Sequence, residues 1–195
     1  QPDMIWAKSR SNAEAPCIYD AVRGAGKRLL VDRDSAENDE GSNGISAFNS
    51  DGFTTGENGA SGQNTYTYVA WCWKESSTAG FDIVTYTGDG SARTISHSLS
   101  AVPDLAIIRC RSDARSWVIT NSTLGWTGRA FLDTSAAWGA NSGEFNDTAP
   151  TSSVFTVGTD YRTNKDTETY VAYLWRNVQG FFKTGTYKGT GSGAG

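Results

Sequence analysis

A single histidine limits the acid–base chemistry that this 195-residue chain could perform. His97 lies in the segment TISHSL, and no serine has the GxSxG surroundings of a nucleophile elbow. A Ser-His-Asp or Cys-His site would therefore depend on that one imidazole. Asp and Glu together number 21, but no spacing selects a pair for glycoside cleavage. We expect a turn or strand-edge histidine and no catalytic residue, so the chain is predicted not to be an enzyme.

Two further segments are similar to ligand-binding loops but lack the residues that such loops require. Residues 24–27 read GAGK, yet Ala21 and Arg28 stand where a phosphate-binding loop needs Gly and Ser or Thr. An EF-hand that begins at Asp32, in the acidic segment 32–40, requires Gly at its sixth place and Glu at its twelfth, and these places hold Glu37 and Asn43. We expect a glycine turn with solvated cations and a solvated acidic loop, with a calcium site of another type as the open alternative. No cofactor and no metal are predicted.

The cysteines give no sign of a disulfide framework or of a metal site. Cys17, Cys72 and Cys110 are an odd number and have no CxxC spacing. Cys72 lies inside a strand-like segment, so we expect it to be a small buried hydrophobic residue. None of the three is expected to be a nucleophile.

The seven tryptophans are the most informative candidates for binding. Trp71, Trp73 and Trp175 lie in the strongest predicted strands and are expected in the core. Trp126 and Trp138 lie among small residues in turn-like sequence, where an aromatic side chain either folds back onto the core or stands exposed. Exposed aromatic rings stack on sugars and anchor protein interfaces. Trp126 and Trp138 are therefore the predicted binding residues, with packing against the core as the alternative for both.

Composition favours an all-β protein. Apolar residues make up 37% of the chain and charged residues 19%, while 22 glycines accompany many Ser and Thr residues. Aromatic residues at 12% exclude a disordered chain and supply a compact core. The net charge is −4 with scattered cations, so nucleic acid is not an expected partner. No apolar run reaches the length of a spanning helix, so no membrane insertion is expected.

An internal repeat of about 100 residues organises the chain. Collinear matches join residues 2–11 with 103–112, 28–32 with 129–133, 53–56 with 155–158 and 67–73 with 169–175. Gly80 and Phe81 recur as Gly180 and Phe181, and Tyr86, Gly88, Gly90 and Ser91 recur as Tyr187, Gly189, Gly191 and Ser192. We therefore predict a first β repeat over residues 1–100 and a second over 101–195.

Each repeat is predicted to be a jelly-roll-like β-sandwich unit made of short strands. Residues 65–74 and 167–176 are the clearest strands, and both faces of each are apolar, which predicts central strands covered on both sides. Two alternatives stay open at this point. The repeats could fold as separate sandwiches or as one shared sandwich, and the structural boundary could lie near residue 80.

Four segments of the first repeat carry a resemblance to a known family: YDAVRGAGKRL (19–29), AFNSDGFTTG (47–56), NTYTYVAWCWK (64–74) and GFDIVTYTGDG (80–90). They resemble a repeat domain found in virion proteins of tailed bacteriophages, notably marine phages and cyanophages, in tail fibres and other structural components. The likeness covers nearly the whole chain, although NSTLGWTGRAF replaces the first of these motifs in the second repeat. It implies a virion location and no catalytic residues.

The expected function is therefore that of a phage virion structural protein, in a tail fibre or a similar surface appendage. Its expected partners are other copies of itself, other virion proteins and a host surface glycan. A capsid-associated architectural protein without a ligand is the first alternative, and a free-standing lectin-like protein is the second. Tandem β-units with polar surfaces suit an appendage stabilised by repetition and subunit contacts.

Overall fold

The computed structural model describes residues 1–191, so Ser192, the last residue matched in the repeat, lies outside the described part. The fold is all-β, as the composition predicts, and its two helices have only four residues each. The elements are β1 (Met4–Ser9), β2 (Cys17–Asp20), β3 (Lys27–Leu30), β4 (Asn38–Asp39), a 3-10 turn (Gly41–Asn43), β5 (Ile45–Asn49), β6 (Gly52–Thr55), β7 (Tyr68–Trp73), β8 (Phe81–Thr87), β9 (Arg93–Ser96), β10 (Leu105–Cys110), β11 (Val118–Asn121), β12 (Gly128–Phe131), β13 (Gly139–Ala140), α1 (Ser142–Phe145), β14 (Val154–Val157), α2 (Tyr161–Asn164) and β15 (Thr169–Trp175). Across residues 1–191, neither helix has the length and apolar character needed to cross a bilayer.

The first antiparallel sheet has the spatial order β4-β3-β2-β1-β7. Its strands β1 to β3 form consecutive hairpins, and β7 returns after a long connection to lie beside β1, which is a Greek-key arrangement. In β1, Met4 and Trp6 face one side of the sheet while Ile5 and Ala7 face the other, because side chains alternate along a strand. Both faces of this sheet therefore need a covering layer.

The second sheet has the order β13-β12-β11-β10-β15-β8. Its first five strands follow the order of the first sheet, and the register agrees as well. Met4 lies opposite Trp73 between β1 and β7, and Leu105 lies opposite Trp175 between β10 and β15. The difference is β8, which adds a sixth strand beyond β15.

The two sheets pack face to face and share one core, which makes a β-sandwich. Trp117 fixes the contact on one side, because its indole Nε1 donates a hydrogen bond to the Leu30 carbonyl at 2.8 Å. Tyr173 donates from its hydroxyl to an Asp20 carboxylate oxygen at 2.6 Å. The buried residues of this core are Met4, Ile18, Leu29 and Val31 from the first half and Phe81, Ile83, Ile107, Trp117, Val171, Tyr173 and Trp175 from the second.

An ionic network also crosses between the two halves. Arg23 is fully buried and pairs with Asp20 at 2.5 Å and with Glu37 at 2.8 Å. Glu37 in turn pairs with Arg111 of the second half at 3.0 Å. Since an unpaired buried charge is very costly, these contacts hold the two halves in one relative position.

Each sheet is also covered on its outer face. The β5–β6 hairpin packs on the first sheet, where Ile45 joins Ile5, Ala7, Cys17 and Tyr19 in a second core. On the second sheet, β9 and β14 pair with each other and form the outer layer together with α1. That third core contains Ile95, Ile108, Trp126, Phe145, Phe155, Tyr170 and Ala172.

The strand pairing does not follow the seam of the sequence repeat. Residues 81–96, at the end of the first repeat, form β8 and β9, and both strands pair with strands of the second repeat. The sheets are therefore divided near residue 80, at the alternative boundary. The prediction of a covered central strand is confirmed for β15, which lies between β10 and β8 and is buried along nearly its whole length. For β7 that prediction is wrong, because β7 ends its sheet; three of its six residues are exposed, and the other three are only half-buried.

Candidate functional site: the open edge of the first sheet

His97 has a structural place in the loop after β9. The Leu99 N–H donates to His97 Nδ1 at 3.3 Å, so Nε2 carries the proton and donates to the Thr151 carbonyl at 3.2 Å. Both ring nitrogens are thus engaged by backbone groups. This is the turn histidine that the sequence predicts, and it leaves the ring no free nitrogen for proton transfer in this arrangement.

A pair of carboxyl groups lies near this histidine. Burial, together with the neighbouring Asp82, raises the pKa of Glu75 to about 7. Asp82 accepts hydrogen bonds at 2.6 Å from both the backbone N–H and the hydroxyl of Ser98. Although burial opposes the change, these bonds lower the pKa of Asp82. Asp82 therefore ties β8 to the loop after β9, and Glu75 is the member of the pair that binds a proton near neutral pH.

The loops that are similar to ligand sites use their polar groups internally. In the 24–27 turn, the amide of Gly24 donates to Asp20 and that of Gly26 donates to the Ile45 carbonyl, so neither faces a phosphate. Lys27 pairs with Asp39 at 2.6 Å, which takes a carboxylate from the acidic segment. Among residues 1–191, no group of three or more His, Cys, Asp and Glu residues is placed to hold a metal ion.

The structure separates the two predicted binding tryptophans. Trp126 is only 8% exposed and meets Phe145 edge-on, with ring centroids 5.5 Å apart, so at this position the ring is packed against the core, which was the alternative to an exposed binding residue. Its turn-like surroundings bring it back onto the second sheet, where α1 closes over it. Trp138 is 37% exposed, and one edge of its ring lies so close to Gly128 that a Cβ at that position would meet it.

The most exposed tryptophan is Trp71, which was expected in the core. It lies on β7, is 48% exposed and meets Trp6 edge-on at 6.3 Å between ring centroids. Together with Trp73 these rings line a surface cleft of about 280 Å³, which we call the tryptophan cleft. Trp73 also contacts Trp175 of the second sheet at 6.1 Å, so the cleft has a fixed floor. An arrangement of three indoles offers flat apolar faces for stacking.

β7 is unusually apolar for a strand at the edge of a sheet. Its sequence YVAWCW contains no charge and no proline, the devices by which proteins normally protect a sheet edge. Ala70, Trp71 and Cys72 are exposed, while their repeat counterparts Ala172, Tyr173 and Leu174 are fully buried beside β8. A second cavity of about 520 Å³ opens on the other face of β7, between the 50–53 turn and residues 72–74.

Cys72 belongs to this edge, which corrects the expectation that it is buried. Cys17 and Cys110 do lie in the core. Burial raises the pKa of Cys17 to about 12, and burial followed by the Glu168 carboxylate raises the pKa of Cys110. Cys72 is therefore the accessible thiol of the three.

One signal in the sequence could have located this edge. If the structural boundary lies near residue 80, then β8 leaves the first sheet, and β7 loses the strand that would cover it. The hydrophobic pattern alone cannot reveal this, since it reports which faces are apolar and not which strand lies beside them.

Comparisons with known proteins identify a family. Searches of curated proteins and of solved structures gave no match. A family model, described as a domain of unknown function, matches residues 1–195. The chain therefore belongs to the DUF7483 family over its full length.

Proposed function

We propose that this chain is a structural, non-enzymatic module of a tailed-phage virion, located in a tail fibre or a similar surface appendage. The observation that carries the proposal is the open, uncharged edge of β7 beside the tryptophan cleft. A rigid sheet that ends in such an edge is suited to permanent contacts with other subunits and would be a hazard in an isolated protein.

The strand orders of the two sheets support a modular role. Both sheets follow the same order over five strands, and corresponding residues lie opposite each other in both. We infer that the halves are tandem copies of one unit, as the matched sequence segments predict. The buried ionic network and the shared core make the pair a stiff block, as an extended appendage requires.

A test of the location uses particles of a phage whose genome encodes this chain. Mass spectrometry of density-gradient-purified virions should detect its peptides at a constant ratio to known tail proteins. Antibodies against the purified chain should label one fixed part of the particle in electron micrographs. Absence of the chain from purified virions would refute the proposal, and labelling of the capsid shell would favour the capsid-associated alternative.

A second candidate function, binding of a host surface glycan, has its own supporting observation. Trp6, Trp71 and Trp73 line the tryptophan cleft together, and Trp71 leaves about half of its surface free for a sugar ring. Of the two binding tryptophans predicted from the sequence, only Trp138 keeps an exposed ring.

An array of bacterial surface glycans, read together with quenching of tryptophan fluorescence, tests this function. Saturable binding that Trp71→Ala abolishes and Trp138→Ala leaves intact would assign the cleft as the sugar site. The reverse result would assign Trp138. A folded protein that binds no glycan would leave the purely architectural function.

A further inference from the structure

We propose that residues 182–188 of one copy of this chain add as an antiparallel strand to the open edge of β7 in a second copy. The inference deepens the proposed function and rests on it, since it names a second copy as the partner of the same edge. This mode of contact is β-strand addition, in which backbone hydrogen bonds supply affinity and side-chain contacts supply specificity.

The first support is a template within the molecule. β8 pairs antiparallel with β15 over seven residues, from Phe81 opposite Trp175 to Thr87 opposite Thr169. β15 is the repeat counterpart of β7, and it is buried where β7 is exposed. The strand missing beside β7 is therefore a counterpart of β8.

The second support is that the chain contains such a counterpart. Ser76 and Phe81 form an antiparallel bridge just before β8, and Val178 and Phe182 form the same kind of bridge after β15. In both bridges the earlier residue donates its N–H to the later carbonyl at 2.9 Å. The bridges thus align Phe182, and not Phe181 as in the sequence match, with Phe81.

From Phe182 onward the counterpart carries the side chains of a strand but is not folded as one. In the part that the structure describes, residues 183–191 form no strand. Tyr187, the counterpart of Tyr86, is 96% exposed, and Phe181 is 78% exposed. A segment with large exposed aromatic side chains and a separate strand edge without a partner, both on one molecule, indicate a contact that one isolated copy does not complete.

Aromatic contacts of the template fit the same pairing. The ring of Phe81 has two tryptophan neighbours. Its centroid lies 6.4 Å from that of Trp73, at the end of the preceding strand β7, and 4.9 Å from that of Trp175, on the paired strand β15. Phe182 already has the first of these contacts, since its ring stacks on Trp175 at 6.0 Å. The second contact is the one that Trp73 of another copy would supply.

The far end of the pairing has an equivalent ring contact. Tyr86 stacks on Tyr170 at 5.2 Å with an interplanar angle of 15°. Tyr68 is the repeat counterpart of Tyr170, so Tyr187 is expected to stack on Tyr68 of the second copy. Aromatic pairs across strands are among the contacts that fix a strand register.

The predicted register makes one pair of positions directly testable. Asp82 lies opposite Leu174 in the template, so Lys183 should lie opposite Cys72 of the second copy. Directly opposed residues of antiparallel strands have Cα atoms about 4.5–5.5 Å apart, which is within the range of a disulfide. Cys17 and Cys110 are buried and do not compete for the new thiol.

The experiment is oxidation of the full-length Lys183→Cys variant, followed by non-reducing electrophoresis and by sedimentation of the unmodified chain. We expect disulfide-linked dimers or a ladder of larger species, lost when Cys72→Ser is added. Thr184→Cys is the matched control, because its side chain points to the opposite face and should not link to Cys72. In sedimentation, the average mass of the species formed by the unmodified chain should increase with protein concentration. The average mass for a chain that ends at residue 181 should not.

Three results would overturn the inference. A disulfide within one molecule would mean that the segment closes on its own β7. Equal crosslinking of Lys183→Cys and Thr184→Cys would mean that no defined register exists. The third result has two parts: the chain that ends at residue 181 still associates, and the Lys183→Cys variant forms no disulfide with Cys72. Copies would then assemble through another surface, and the proposed virion function would stand without this pairing. Detection of the chain in purified virions decides that function separately.

Discussion

Truncation of Trp126 to alanine measures how much this side chain contributes to the core on the outer face of the second sheet. The side chain is about nine-tenths buried against Phe145, and burial of an aromatic side chain removes about 150–250 Å² from water. At about 25 cal/mol per Å², that area corresponds to roughly 4–6 kcal/mol as an upper estimate. Measured substitutions of this kind lower stability by about 3–5 kcal/mol, because a cavity remains. We expect a loss of this size in the free energy of unfolding of Trp126→Ala.

Urea denaturation at 25 °C, followed by circular dichroism, measures the change, and Trp71→Ala is the matched control. Trp71 is about half exposed and leaves no closed cavity, so its truncation should cost only about 2 kcal/mol. If Trp126→Ala does not fold, Trp126→Phe keeps most of the ring volume and should lose about 1–2 kcal/mol. A loss for Trp126→Ala no larger than that for Trp71→Ala would refute the core position. The original expectation of an exposed binding residue would then be restored.

Three further predictions concern the charges and the backbone. Asp20→Ala leaves the buried guanidinium of Arg23 without its closest partner and should lower the free energy of unfolding by about 3–5 kcal/mol in the same assay. Although burial opposes the change, hydrogen bonds from Lys165 and other donors lower the pKa of Glu168 to about 2, so the ionised Glu168 stabilises the folded state fully above its ordinary pKa and this contribution is lost as pH falls towards 2. Glu168→Gln should therefore flatten the fall in melting temperature between about pH 5 and pH 2.5. An acid profile identical to that of the parent chain would contradict this. Gly56→Ala would place a Cβ 2.0 Å from a backbone carbonyl and should cost about 1–3 kcal/mol, while Gly52→Ala, with open space around it, should fold as stably as the parent chain.

Much of the fold could be predicted from the sequence because it depends on local patterns. The apolar runs after Pro2-Asp3 and after Pro103-Asp104 do form β1 and β10, and the strongest aromatic segments form β7 and β15. Composition also gave the correct class, since small polar residues and aromatic residues together favour turns and strands. These properties do not require knowledge of which strands meet.

The candidate site was missed because it depends on contacts between distant segments. Two faces of alternating apolar residues predict burial for Trp71, but that burial requires a neighbouring strand, and β8 pairs with β15 instead. For Trp126 the sequence left both an exposed ring and a packed ring open, because α1, which covers it, begins some 16 residues further on. The ionic network was hidden for the same reason, because Glu37 and Arg111 meet only after the sheets pack.

Glycan binding and strand addition would use neighbouring parts of the same edge. Because each would then affect the other, a measurement in solution can distinguish them. If Phe182 of a second copy packs beside Trp73, then it borders the tryptophan cleft, and association should shield the face on which a sugar would stack. The Lys183→Cys disulfide fixes the associated state without changing any residue of the cleft. A glycan that quenches tryptophan fluorescence in the reduced variant and not in the oxidised one would show that the cleft is a subunit contact in the assembled state. Equal quenching in both states would show that the sugar site remains open in the assembly, as a host-recognition function requires.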